Sequence, residues 1–134
     1  MNGPEISWLP DRHRLHFNHG PIDLIVEAFG ETEELRCAYG QAAARFQTIL
    51  GELVEELAEL RRPACLRPRN FDGPTARRME AAVAPLAGQF ITPMAAVAGS
   101  VADEMMAAIS RCTLHRATRS RWRSPARAMV WPTG

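Results

Sequence analysis

The stretch TPMAAVAGSVADE, residues 92–104, is the segment around which the rest of the chain is organised. It opens with Thr92 and Pro93, a pair that favours a helix start. The threonine hydroxyl can accept hydrogen bonds from the free N–H groups of the first turn, and proline has no N–H group that would be left unpaired there. Small residues dominate the remainder of the segment, namely Ala95, Ala96, Ala98, Gly99, Ser100 and Ala102. Such a helix lets another backbone or a ligand come close, and its N-terminus could hold an anion. Tight packing in a small core is the alternative interpretation of the same composition.

A long amphipathic helix is predicted upstream, because large apolar residues recur every three or four positions from Leu35 to Leu60. Acidic residues precede it, and Arg61 comes directly after it, which suits the helix dipole at both ends. Each large side chain that it fully buries should contribute about 1.5–3 kcal/mol, so this helix is the expected main source of the core. Its solvated face is predicted at Glu52, Glu55, Glu56 and Glu59. A loop through Gly73 and a second helix from Pro74 should come next.

Residues 14–28 predict a β-hairpin. Leu15 and Phe17 alternate with polar residues, and a second alternating run extends from Ile22 to Ala28. The tripeptide His19-Gly20-Pro21 between the two runs is typical of a turn. Two strands alone are marginally stable in water, so they must pack on a helix or on further strands. The predicted fold class is therefore α+β, with an N-terminal β-hairpin packed on long helices.

The charge distribution separates the end of the chain from the rest. Residues 1–110 carry ten Arg and fifteen acids, a balance of −5, whereas residues 111–134 carry six Arg and no acid. The last seventeen residues also lack apolar periodicity. Their composition resembles the translation of GC-rich DNA in the wrong reading frame. We therefore predict one domain over residues 1–117 and an unrelated Arg-rich tail over residues 118–134, disordered or derived from a frameshift. Nucleic acid is not a predicted partner, because no recognisable module surrounds this tail.

Three further features exclude common classes of protein. The three cysteines form no C-x-x-C pair and are odd in number, which argues against a disulfide framework and favours the cytoplasm. The uncharged segment 81–102 is long enough to cross a membrane, but proline, glycine and polar residues interrupt it, so no membrane span is predicted. No metal site is predicted, because His13, His16 and His19 alternate between strand faces and lack a Cys or carboxylate cluster. No catalytic residue can be identified.

Several segments also occur together in a recognisable order: HGPIDLI (19–25), AAARF (42–46), VAP (83–85), TPMAAVAG (92–99) and VAD (101–103). They resemble an uncharacterised prokaryotic family related to ApbE, the FAD:protein FMN transferase formerly called a thiamine-biosynthesis lipoprotein. The resemblance extends from about residue 9 to residue 117, the N-terminal part of that family. It implies a partial ApbE-like fold and a flavin-nucleotide site, with FAD as cofactor and Mg²⁺ in the full-length family only.

By the same resemblance, the expected FAD contacts are Thr92, Met94, Ala95, Gly99 and Asp103. Relatives continue into an Asn-Asn-Gly-Gly-Asp-Ile segment that this chain lacks. The chain is therefore expected to be a truncated copy that is inactive alone. If it were active, the resemblance implies an FMN transferase. The alternative prediction is a non-catalytic α+β protein-interaction module. In that case, a homo-oligomer could form through the open edge of the sheet.

Overall fold

The computed structural model of the chain describes residues 3–114 and 127–130, which form a sheet and a set of helices. The strands are β1 (Glu5–Trp8), β2 (Arg14–His19), β3 (Ile22–Glu27) and β4 (Arg127–Val130). They form one antiparallel sheet in the order β1-β2-β3-β4. The α-helices are α1 (Thr32–Glu55), α2 (Leu57–Leu60), α3 (Pro74–Val83) and α4 (Val97–Leu114), with single 3₁₀ turns at Ala84–Leu86 and Pro93–Ala96. The predicted α+β class, with the hairpin packed on long helices, is confirmed.

The hairpin has the single apolar face that its alternation predicts. The inward-facing side chains of β2 and β3 are buried, namely Leu15, Phe17, Ile22, Leu24 and Val26. A two-residue turn, Gly20-Pro21, joins the strands, and Gly20 has a φ of 57°. Glycine occupies this left-handed conformation without the steric cost that a Cβ would add.

Helix α1 provides most of the helical side of the core, as its periodicity predicts. One face of α1 is buried, comprising Ala38, Tyr39, Ala42, Phe46, Ile49, Leu50 and Leu53. The rings of Phe46 and Phe17 meet edge to face at 5.1 Å between centroids, which joins the helix to the sheet. The regular helix ends at Glu55, and a separate turn, α2, completes the predicted segment to Leu60.

Helix α4 packs against both α1 and α3, burying Val101, Met105 and Ile109 in the same core. A disulfide joins α1 to α4 through Cys37 and Cys112, with 5.9 Å between their Cα atoms. The prediction against disulfides is therefore wrong. The two cysteines are 75 residues apart, and only the side-by-side packing of the helices brings them together. The remaining cysteine, Cys65, is free and exposed.

The end of the chain contributes to the sheet. Arg127–Val130 form β4, paired antiparallel with β3 from Glu27 back to Leu24. The expectation of a disordered tail thus does not hold for these four residues, and the rest of residues 118–134 lies outside the described part of the chain. Within that part, none of the helices is both long and apolar enough to cross a membrane.

Candidate functional site

The segment 92–104 begins differently from its prediction. Thr92 precedes the first turn, but its hydroxyl makes no capping hydrogen bond. Instead its carbonyl oxygen accepts the N–H of Ala95 at 3.0 Å, which makes the first turn a 3₁₀ turn before α4 starts at Val97. The hydroxyl cap predicted at Thr92 is therefore wrong, although the helix start at Pro93 is confirmed.

The five residues expected to contact FAD extend from the 3₁₀ turn that precedes α4 into the first turns of that helix. Met94 packs partly buried against the core, while Ala95, Gly99 and Asp103 lie at or near the surface. A Cβ added at Gly99 would meet nothing within 4 Å among the described residues, so this glycine does not serve close packing there. None of the five lines the cleft between the β1–β2 connection and α1. Their assignment as cofactor contacts stays a prediction.

That cleft is bounded by the β1–β2 connection on one side and by the first turns of α1 on the other. Its volume is about 370 Å³. Its apolar lining comes from Trp8, Ala28, Leu35 and Tyr39. Its polar lining comes from Arg12, His13, Thr32 and Arg36, a set with two guanidinium groups and no carboxylate. The cleft therefore combines an aromatic wall with a positively charged rim.

Tyr39 is the fixed wall of this cleft. Its hydroxyl donates to the carbonyl oxygen of His13 at 2.7 Å and accepts the N–H of Ala28 at 2.9 Å. Trp8 meets its ring edge to face, with 5.0 Å between centroids and 75° between planes. Burial raises the pKa of Tyr39 above its ordinary value, although the Ala28 N–H opposes the shift, so the phenol is neutral at physiological pH. The hydroxyl of Tyr39 thus uses both its donor and its acceptor function. Through these two bonds it ties the start of β2 and the end of β3 to α1.

The connection between β1 and β2 is a tight turn organised by Asp11. Its carboxylate accepts the N–H groups of His13 and Arg14 at 2.9 and 3.1 Å and pairs with the Arg14 guanidinium at 2.6 Å. These contacts, with the His13 N–H the largest, lower the pKa of Asp11 from 3.8 to about 2. Arg12 in the same turn has a φ of 60°, and within the described chain its side chain has no hydrogen-bond or ion-pair partner.

The outer edge of β1 is a second feature of this corner. Leu9 N–H donates to the Arg14 carbonyl at 2.9 Å, which fixes the phase of the β1–β2 ladder. In an antiparallel pair, hydrogen-bonded residues alternate, so Glu5 and Ser7 bond to β2 while Ile6 and Trp8 direct their N–H and C=O groups away from it. The Trp8 side chain is 53% exposed. Within the described residues, β1 has no neighbour on this edge.

A partly buried network of charges joins the three long helices. The Arg45 guanidinium bonds to Glu52 and, at 3.1 Å, to Glu104, which also accepts a hydrogen bond from Arg78 at 2.9 Å. Burial by itself would raise the pKa of Glu104, but the hydrogen bonds from Arg78 and Arg45 outweigh it and lower that pKa. Each charge is neutralised by a partner, so this network serves packing. Sequence reasoning missed it because Glu104 and Arg45 lie on different helices.

Two residues of the solvated face predicted for the long helix likewise have structural contacts. Glu52 belongs to the charge network, and the Glu56 carboxylate accepts the N–H groups of Asp72 and Gly73 at 2.7 and 3.0 Å. Glu56 thereby holds the segment that enters α3. The prediction of a fully solvated acidic face is wrong at these two positions.

The three histidines lie apart. His16 forms a hydrogen-bonded pair with Asp23 across β2 and β3, whereas the His19 ring faces Phe46 in the core at 6.2 Å between centroids. His13 belongs to the β1–β2 turn. No group of three His, Cys, Asp or Glu among the described residues could hold a metal ion.

Fold and site together define a sheet-and-helix protein with an open strand edge and a small cationic, aromatic cleft. Residues 6–118 match the family described as AbpE bacteria, and the chain belongs to that family. No curated protein and no solved structure matches the chain. The resemblance to the ApbE family is therefore wrong, because the matching family is AbpE and nothing in the match relates it to FMN transfer.

Proposed function

We propose that this protein is a non-catalytic interaction module that pairs with a second copy of itself along the outer edge of β1. The observation that carries this proposal is the phase of the β1–β2 ladder, which leaves the main-chain groups of Ile6 and Trp8 directed outward. Exposed strand edges are templates for pairing with another strand.

The sequence of β1 is self-complementary in one antiparallel register. Placing Ser7 on a two-fold axis sets Ile6 opposite the second copy's Trp8 and Trp8 opposite the second copy's Ile6. These outward-facing residues then form the hydrogen-bonded pairs, about four bonds in all. The same register brings isoleucine and tryptophan side chains together on the inner face, and such cross-strand pairs contribute roughly 0.2–1 kcal/mol each.

Charge and chain geometry also suit this pairing. The register sets Glu5 opposite Leu9, so no like charges meet across the axis. Pro4 and Pro10 flank the strand and limit the paired segment to the residues between them, because proline cannot donate to a ladder. A two-fold contact of this kind closes on itself and gives a dimer.

Proline at Ile6 is the sharpest test, because the N–H that it removes points away from β2 and is not part of the monomer's own ladder. Ile6→Val is the matched control, since it keeps both the N–H and a β-branched side chain. Sedimentation equilibrium over a range of concentrations should show a wild-type dimer. Two symmetric hydrogen bonds of about 1 kcal/mol each make the Ile6→Pro dimer about 30-fold weaker, whereas Ile6→Val should change affinity little.

Two results would reject this proposal: a monomeric wild type at all accessible concentrations, or an Ile6→Pro dimer as tight as the Ile6→Val dimer with both variants folded by circular dichroism.

FAD binding, transferase chemistry with Mg²⁺ and a cytoplasmic location all stay untested predictions. A flavin fluorescence titration with and without Mg²⁺ examines the first directly. For a non-catalytic module we expect no saturable FAD binding. Saturable binding by the wild type that is lost in Gly99→Leu or Asp103→Ala would instead favour the flavin prediction.

A further inference from the structure

The cleft beside β1 has a volume that falls within the range of small-molecule sites. Its volume of about 370 Å³ lies at the lower end of the range for ligand sites, roughly 300–1,000 Å³. Tyr39 is held in place by two hydrogen bonds, and Trp8 stands half exposed beside it. Leu35 and Ala28 complete an apolar lining that suits a flat hydrocarbon ring system.

Arg12 and Arg36 place positive charge at the rim of the cleft. Arg12 has no charged partner in the part of the chain that the structure describes, and Arg36 meets Glu33 only at 3.6 Å on an open surface. An exposed pair at that distance is weak and leaves the Arg36 guanidinium available. Guanidinium groups bind carboxylates through paired, parallel hydrogen bonds. A carboxylate is therefore the ligand that suits Arg12 and Arg36.

The backbone at Arg12 provides a second, independent observation. Its φ of 60° lies in the left-handed region, where glycine and asparagine are the usual residues. An arginine in this conformation carries a steric cost, although Asp11 already supplies the side-chain hydrogen bonds that close the turn. A strained residue whose side chain is unused by the fold, and which lines a cavity, indicates a role in binding.

We propose that this cleft binds a small carboxylate with a flat apolar body, the class of aryl carboxylates. The ring system lies against Tyr39 and Trp8, and the carboxylate lies between the guanidinium groups of Arg12 and Arg36. This goes beyond strand pairing, because the ligand also contacts Arg12, Arg36 and Tyr39, which line the cleft and take no part in the pairing of β1.

The test is isothermal titration of the full chain with 2-naphthoate, using neutral 2-naphthamide for comparison. A ligand of this size should bind with a dissociation constant of about 1 mM or tighter. Arg12→Asn removes the charge yet suits a left-handed backbone, so the fold should be kept or strengthened. Naphthoate binding should weaken about 5-fold in this variant and about 5-fold or more when the amide replaces the acid. Arg67→Asn, the same change at an exposed arginine outside the cleft, should alter binding less than about 2-fold.

Three results would overturn the assignment: no naphthoate binding, equal binding of the amide, or equal weakening by Arg12→Asn and Arg67→Asn. The Ile6→Pro variant separates this site from strand pairing. Naphthoate affinity should be unchanged in that variant, and its loss there would place the ligand at the dimer contact and contradict a cleft complete in one chain.

Discussion

Reducing the disulfide between Cys37 and Cys112 should destabilise this protein strongly. The bond joins α1 to α4 across 75 residues, so its main effect is to restrict the unfolded chain. For a loop of that length, the chain-entropy treatment gives about 4.5 kcal/mol at room temperature. This is a large share of the roughly 5–15 kcal/mol by which domains are ordinarily stable. The native helices should still pack, because Met105 and Ile109 of α4 remain buried against α1 and the sheet.

The perturbation is either a reductant or the variant Cys37→Ser, whose position on α1 is exposed. Urea unfolding followed by circular dichroism measures the effect. With a slope of about 2 kcal/mol per molar urea, the midpoint should fall by roughly 2 M. Cys65→Ser is the matched control, because Cys65 is free and exposed, and its midpoint should not move.

Thiol titration in denaturant provides the check on this reasoning. The oxidised protein should show only the Cys65 thiol, and the reduced protein should show three. Three thiols without reductant, or a midpoint unchanged by reductant, would refute the prediction.

Three smaller perturbations test the charge network, the β1–β2 turn and α1. Glu104→Gln should lower the free energy of unfolding by about 2–3 kcal/mol in urea titrations, because it leaves the largely buried Arg45 and the partly exposed Arg78 without a full partner. Asp103→Asn, outside the network, should change it by less than about 0.5 kcal/mol, and equal effects would contradict the network's role. Asp11 has its pKa lowered from 3.8 to about 2, so its contribution to stability is complete above pH 3.8 and is lost as the pH falls through about 2. An NMR titration of its carboxylate should show that low midpoint, and a midpoint near 3.8 would argue against the turn. Gly51→Ala should raise the stability by about 0.5–1 kcal/mol, because the position is exposed within α1 and an added Cβ meets nothing within 4 Å; a decrease in melting temperature would show otherwise.

Local patterns were sufficient where one face of an element is buried along its length. The alternation in β2 and β3 and the three-to-four-residue spacing in α1 predicted both their structure and the side that faces the core. The glycine turn and the helix start at Pro74 also depend on neighbouring residues only, so they could be predicted as well.

The cleft and the strand edge could be anticipated only in part. An open sheet edge is expected of a short hairpin, but the phase that turns Ile6 outward depends on the hydrogen bond between Leu9 and Arg14. Trp8 and Tyr39 meet because the sheet packs on α1, and no spacing between them in the chain indicates that contact. In the segment 92–104, Thr92 has the sequence context of a hydroxyl cap, yet its carbonyl accepts the bond that makes a 3₁₀ turn.

The sequence by itself determined the β2–β3 hairpin, the long helices, their apolar faces and the α+β class, because each depends on residues within a few positions of one another. Tertiary structure alone decided that Cys37 meets Cys112, that Glu104 pairs with Arg45, and that Arg127–Val130 add a strand beside β3. These contacts join residues 59 or more positions apart. Contacts between residues so far apart in the chain form only when whole helices and strands pack against each other. The free energy that holds these elements together comes from the hydrophobic core that they share.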